Sequence, residues 1–212
     1  MAKADKLDLF KKHKDEYAAG RTPVLVTVGA ASYLGITGRG KPGGEAFQAK
    51  TGALYAAAYT IKFALKPAGR DYKVAPLEGL YRVDDASEGV FDADPAALSW
   101  QLLIRQPEFI TPDHLADAIE KLLAKGKGPE VRNVELVGLA EGPCVQVLHV
   151  GPYDAERETI EAMGAFAAER GLAFHGRHHE VYLSDPRRVA PERLRTILRH
   201  PVRPVAASAA AH

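Results

Sequence analysis

One cysteine, Cys144, stands among 212 residues, so no internal disulfide can form. Its place between Pro143 and Val145 in an apolar run marks a small core residue rather than a nucleophile. Only two methionines are present, which excludes a soft, Met-lined binding surface. The formal net charge is only +1. That balance argues against nucleic acid or an anionic membrane as partner. The densest basic run, Lys11-Lys12-His13-Lys14, is followed at once by Asp15-Glu16 and reads as a solvated helix face. No apolar run approaches the roughly 18 residues of a membrane span, and the polar N-terminus does not fit a signal peptide. The expectation is therefore a reduced, cytoplasmic compartment. The glycine-rich stretch Gly38 to Gly44 lacks both the Gly-Lys-Ser/Thr ending of a P-loop and the spacing of a dinucleotide turn. No nucleophile elbow or Ser-His-Asp pattern is present, and no cofactor is expected.

What is present is an ordinary globular composition, 46% hydrophobic and 26% charged. Residues 1–19 read as an N-terminal helix packed on the remainder. Residues 20–205 read as one domain with halves at about 22–110 and 111–205, and residues 206–212 as a disordered tail. Strands are expected at Val24–Val28, from Ala31 onward, over Tyr72–Val83 and over Leu98–Gln106. The longest helical stripe runs from Glu45 to Leu65 and stops before Pro67. Asp84 to Pro95 reads as an acidic surface loop. Thr111-Pro112 begins a second helix, with Thr111 as N-cap. Strands at Val131–Ala140 and Val145–Val150 follow, then a helix over Ala155–Arg170, a strand around Glu180, and a helical turn and strand from Pro191 to Val202.

The stretch His175 to Pro186 carries one carboxylate, Glu180, in an apolar and aromatic run. Strand alternation sends His178, Glu180 and Tyr182 to one face and His179, Val181 and Leu183 to the other. The two adjacent histidines therefore cannot join Glu180 on one metal, and no metal is expected. His149 and His175 read as satisfied strand histidines.

The order strand, loop, helix, strand, strand occurs twice. The Glu78 segment after Phe63-Ala-Leu-Lys-Pro-Ala-Gly sits where the Glu180 segment sits after Phe166-Ala-Ala-Glu-Arg-Gly. The expectation is an α+β fold of two pseudo-symmetric strand-helix-strand-strand modules, with antiparallel sheets enclosing a central ligand cleft. Glu78 and Glu180 would approach that cleft from opposite sides. Tyr33, Tyr55, Tyr81, Trp100, Tyr153 and Tyr182 would border it.

Five motifs together resemble the GyrI-like small-molecule-binding family. They are Ser32-Tyr-Leu-Gly-Ile-Thr-Gly-Arg-Gly, Ala53-Leu-Tyr-Ala-Ala-Ala-Tyr-Thr-Ile-Lys-Phe, Pro76-Leu-Glu-Gly-Leu-Tyr, Val147-Leu-His-Val-Gly-Pro-Tyr-Asp and His178-His-Glu-Val-Tyr-Leu-Ser-Asp-Pro. The resemblance spans about residues 5–204. It implies duplicated strand-helix-strand-strand modules and a pocket for bulky hydrophobic, often aromatic or cationic molecules. It also implies a central glutamate at Glu180 amid a cage of aromatic rings. The wording of the motifs is closer to the stand-alone subfamily that hydrolyses the cyclopropane ring of cyclopropyl-indole alkylating antibiotics than to the DNA-binding regulators.

Two readings of the site follow. In the first, a hydrolase, Glu180 activates water while Tyr55 or Tyr153 donates to the developing phenolate. Trp100, Tyr81 and Tyr182 stack on the flat substrate, and Tyr33, Glu78 and His178 complete the lining. In the second, a non-catalytic multidrug-sequestering protein, Glu180 is the counter-ion of a cationic ligand that the rings embrace. Both imply a small hydrophobic or aromatic ligand as partner, with the protein a monomer or homodimer. A third, a protein-interaction role such as topoisomerase inhibition, rests on the family name alone.

Overall fold

The computed structural model describes residues 6–83 and 93–205. Most of the expected acidic loop (residues 84–92) and the expected tail (residues 206–212) lie outside them. The expected single N-terminal helix is two short ones, α1 (Leu9–Lys12) and α2 (Lys14–Tyr17). Then come β1 (Val24–Val28), β2 (Ala31–Arg39), α3 (Glu45–Leu65), β3 (Leu77–Val83) and β4 (Leu98–Gln106). The second half holds α4 (Pro112–Ala124), β5 (Glu135–Leu139), β6 (Gly142–Val150), α5 (Glu156–Ala168), β7 (Leu172–Phe174), β8 (His178–Tyr182) and β9 (Arg195–Pro204).

α3 forms where the apolar spacing demands it, with Leu54, Ala57, Ala58, Ile61 and Leu65 buried along one stripe. Thr111 caps α4 as its sequence predicts: its hydroxyl accepts from the His114 amide, and His114 Nδ1 accepts from the Thr111 amide. β3 is shorter than expected. Pro76 precedes it, and Tyr72 pairs instead with Leu7 in an isolated bridge.

The strands form one antiparallel sheet in the order β1-β6-β9-β8-β3-β4-β2-β5, with β7 pairing β9 off this path. Two units, β2-α3-β3-β4 and β6-α5-β8-β9, meet at the central β3/β8 pair. Each unit's edge is completed by a strand from the other half: β1 adds to β6, and β5 to β2. This is the expected α+β duplication, built as one continuous sheet rather than two.

The sheet is covered on both faces. On one, α3 packs through Leu54 and Ile61 against Leu34, Ile36, Leu102 and Ile104. On the same face α5 packs Met163 and Ala167 against Val145, Val147 and Leu198. The opposite face holds Tyr17 of α2 against Val181 and Ile197, and a second cluster of Tyr33, Leu80 and Leu103. α3 and α5 thus lie to either side of the middle of β3 and β8 on one face, and the ground between them is called the trough.

Candidate functional site

β3 and β8 pair with Gly79 opposite Glu180 and Tyr81 opposite His178. Strand alternation puts these residues, with Tyr182, on the face between α3 and α5. Gly79 is glycine for a reason visible here: a Cβ at that position would lie 2.7 Å from the Tyr81 ring. Its absence lets that ring lie back along the strand, so that the Tyr81 and Tyr182 hydroxyls meet in a short hydrogen bond. Tyr182 also hydrogen-bonds Glu180. One assignment satisfies both contacts: Tyr81 donates to Tyr182, and Tyr182 donates to the Glu180 carboxylate. Both phenols are pushed far above the ordinary tyrosine range, by burial first and by the Glu180 charge next. His178 Nε2 stands 3.4 Å from Glu180 Oε1.

A second carboxyl enters from α5. Glu156, the first residue of that helix, is 1% exposed. It hydrogen-bonds Thr196, and its Oε1 is buried with no hydrogen-bond partner among the described residues. Burial, and next the charge of Glu180, hold Glu156 well above the usual carboxyl range, so it is neutral at pH 7. The trough therefore holds two buried carboxyls, Glu180 and Glu156, the second pushed up by burial and by the first. Glu156 was absent from the sequence-based candidates. The signal was there: Glu156, Ile160, Met163 and Ala167 recur at helical spacing, and the first residue of that apolar stripe is a carboxylate.

Tyr153 stands at the rim, 37% exposed, with its ring edge-on to Tyr182 at 5.9 Å. Burial, then Glu180 and Glu156, raise its phenol to about 12. From the other side comes Tyr55 of α3, half-buried against the backbone of Leu77; Asp185 acts on both Tyr55 and Tyr153. Trp100 lies opposite Tyr81 on the same face. Its ring covers Gly38, where a Cβ would come within 2.1 Å of it, and its indole donates to the Gly40 carbonyl. Phe47 packs edge-on against it at 5.0 Å. Trp100 is thus a buried end wall.

Two candidates are corrected. Glu78 does not reach the trough. It pairs with Val181, one residue out of step with Glu180, so its side chain leaves the opposite face of the sheet. There it is fully buried, accepting from the Tyr17 hydroxyl at 2.7 Å and from His179 Nε2 at 3.0 Å. His179 Nδ1 lies 2.9 Å from Glu141, which also accepts from Arg199 at 3.2 Å. An imidazole between two carboxylates must donate from both nitrogens, so His179 is an imidazolium. Burial alone would lower its pKa, but Glu141 and Glu78 together raise it. Glu141 is held at about 2: burial would raise it, but His179 and Arg199 outweigh that. Tyr33 is also on the opposite face, paired with Arg105 and packed with Leu80 and Leu103. Glu78 and Tyr33 therefore belong to a buried network that fastens α2 to the sheet.

The readings of His149 and Cys144 agree with the structure, whereas His175 lies between β7 and β8 rather than in a strand. His149 bonds Thr159 at 2.9 Å and the Pro152 carbonyl at 3.2 Å. Cys144 is buried, and burial pushes its thiol up to about 12. No group of three or more His, Cys, Asp or Glu that could hold a metal occurs among the described residues. No helix among them is long and apolar enough to cross a membrane.

The profile of the GyrI-like small molecule binding domain matches residues 21–203. The chain belongs to the GyrI-like family. An uncharacterized conserved protein from Listeria innocua is similar at 37% identity and a TM-score of 0.87, over 93% of this chain and all of that one. A structure described as a hydrolase from Listeria innocua is 36% identical with a TM-score of 0.82, over 93% of this chain and all of that one. The C-terminal domain of EcmrR shares the fold at 12% identity and a TM-score of 0.56, over 87% of this chain and 98% of that one. No curated protein matches the chain. This GyrI-like chain is thus a small-molecule-binding domain, with its two duplicated units arranged around the trough.

Proposed function

We propose that the trough binds bulky aromatic xenobiotics within a cage of Tyr55, Tyr81, Tyr153, Tyr182 and Trp100, and hydrolyses activated cyclopropanes of the cyclopropyl-indole type. The observation that carries this reading is the pair of buried carboxyls, Glu156 and Glu180, brought together on one face of the sheet, with the Glu156 Oε1 lacking a hydrogen-bond partner among the described residues. A sequestering site for cations needs only the anion. A neutral carboxylic acid beside it, its Oε1 unpartnered, adds desolvation cost without adding charge. Acid–base chemistry needs both.

The steps balance. Water attacks the cyclopropane methylene, forming a C–O bond, and gives its proton to Glu180. The ring C–C bond breaks, and its electron pair flows into the conjugated dienone to make a phenolate. Glu156 supplies the proton that neutralises that oxygen. The net change is addition of one water, and the proton returns from Glu180 to Glu156 between turnovers. Tyr182 and Tyr81 hold the Glu180 carboxylate, and the raised phenols keep their protons throughout. The hydrolase description of the 36%-identical Listeria protein supports the reaction class.

The test is loss of the dienone absorbance of a cyclopropyl-indolone, followed for wild type, Glu180→Gln and Glu156→Gln. The expected result is a hydrated product with wild type and a drop in rate of about 10²–10⁴-fold in either variant, with binding retained. Saturable binding by wild type without any hydrated product would refute the hydrolase and leave the sequestering site.

A further inference from the structure

The trough has an aromatic continuation that the hydrolytic chemistry does not use. Tyr55, Tyr59 and Phe63 lie four residues apart on α3 and therefore on one face of the helix. Their rings follow one another at centroid distances of 6.2 and 6.1 Å, with planes within 27° and 25° of parallel. The inner ring, Tyr55, is the half-buried wall of the trough. The outer two are exposed, Tyr59 at 45% and Phe63 at 60%. A helix face in contact only with water normally carries charge. Here residues 51–61 contain no charged side chain at all. Lys62, held by Asp71 and the Tyr72 carbonyl, places its Nζ 5.8 Å over the Phe63 ring and leaves the Tyr59 ring to the solvent. The uncharged ladder is continuous with the candidate site and extends it by roughly 12 Å along the helix axis.

We propose that Tyr59 and Phe63 form an outer subsite for the remote, non-reacting rings of an elongated multi-ring aromatic ligand whose head sits in the trough. This rests on the reading of the trough as the ligand site and specifies its ligand: neutral, flat and longer than the trough itself. Stacking of successive rings on Tyr59 and Phe63 gives each outer ring about 0.5–1.5 kcal/mol, roughly a two- to tenfold gain in affinity per ring.

The experiment compares two unreactive probes, a two-ring and a four-ring para-linked aromatic oligoamide, by titration calorimetry on the full chain. The expected result is that the four-ring probe binds wild type about four- to a hundredfold more tightly than the two-ring probe. Tyr59→Ser/Phe63→Ser should abolish that difference while leaving the two-ring affinity and the melting temperature unchanged. Tyr59→Phe, which keeps the ring, should bind like wild type. Equal weakening of both probes, no length preference in wild type, or no binding of either probe to wild type would overturn the proposal. So would a wild-type dimer in sedimentation that the double variant dissociates, because a second copy of the chain would then cover the stripe. Neither probe reacts, so a protein inert toward cyclopropanes would sink the hydrolase while leaving this result intact.

Discussion

Glu78→Gln separates the buried network from the trough more sharply than any other single change. Glu78 is wholly inaccessible and accepts from two donors, the Tyr17 hydroxyl at 2.7 Å and the His179 imidazolium at 3.0 Å. The amide that replaces it has the same size but one acceptor oxygen and no charge. One of the two buried donors then faces an NH2 group, and His179 is left with Glu141 alone. Breaking a buried charged pair on one side costs about 3–5 kcal/mol. For a domain of this length each kcal/mol moves the melting temperature by about 2–4 °C, so a fall of roughly 6–20 °C is expected. The pH signature fixes the cause. His179 has a folded pKa above its unfolded value. Its contribution is therefore fully present below about pH 6.5, the unfolded value, and is lost as pH rises through the folded pKa. Glu141, held at about 2 when folded, contributes above its unfolded value and loses that contribution only as pH falls toward 2. Thermal melts from pH 5 to 10 should show wild type losing stability on the alkaline side, and the variant beginning that loss at lower pH. Affinity for a trough ligand, measured well below the variant's melting temperature, should change less than twofold. A variant as stable as wild type that no longer binds ligand would refute the argument and return Glu78 to the trough.

Other outcomes follow from the same geometry. Gly79→Ala places a methyl 2.7 Å from the Tyr81 ring, so ligand affinity should fall at least tenfold by calorimetry while the melting temperature drops by only a few degrees. Tyr182→Phe removes the hydroxyl between Tyr81 and Glu180; the rate of cyclopropane opening should fall about tenfold to a hundredfold with little change in KM, because ring stacking survives. The buried Cys144 thiol, raised to about 12, should resist aromatic disulfide reagents in the native protein at pH 8 and react at once in denaturant, as spectrophotometric titration would show.

The sequence was legible wherever one face of an element differed from the other. α3 and α4 announced themselves through helical stripes, a following proline and the Thr111 cap, and the face assignment of β8 held residue by residue. β7 passed unseen because three residues are too few for a period. The failures at Glu78 and Tyr33 share a cause. β2 and the centre of β3 are buried on both faces, so no alternation of polar and apolar residues marks which side is which. The duplication then misled, because matching Glu78 to Glu180 by their surroundings slips the register by one residue, and one residue in a strand is a change of face. In the sheet it is Gly79, not Glu78, that stands across from Glu180. The duplicated unit thus supplies a glycine at the middle of β3 and a carboxylate at the middle of β8. That asymmetry makes the site: the glycine lets Tyr81 lie over its own strand, and the ring carries a hydroxyl to Tyr182 and so to Glu180. The sister helices diverge in the same way, α5 bringing Glu156 within the electrostatic reach of Glu180 and α3 an aromatic face to the other side. A duplicated scaffold with two equivalent glutamates would give a symmetric anionic pocket. This one sets two unlike carboxyls beside a one-sided aromatic approach, the asymmetry on which the proposed hydrolysis of an elongated substrate rests.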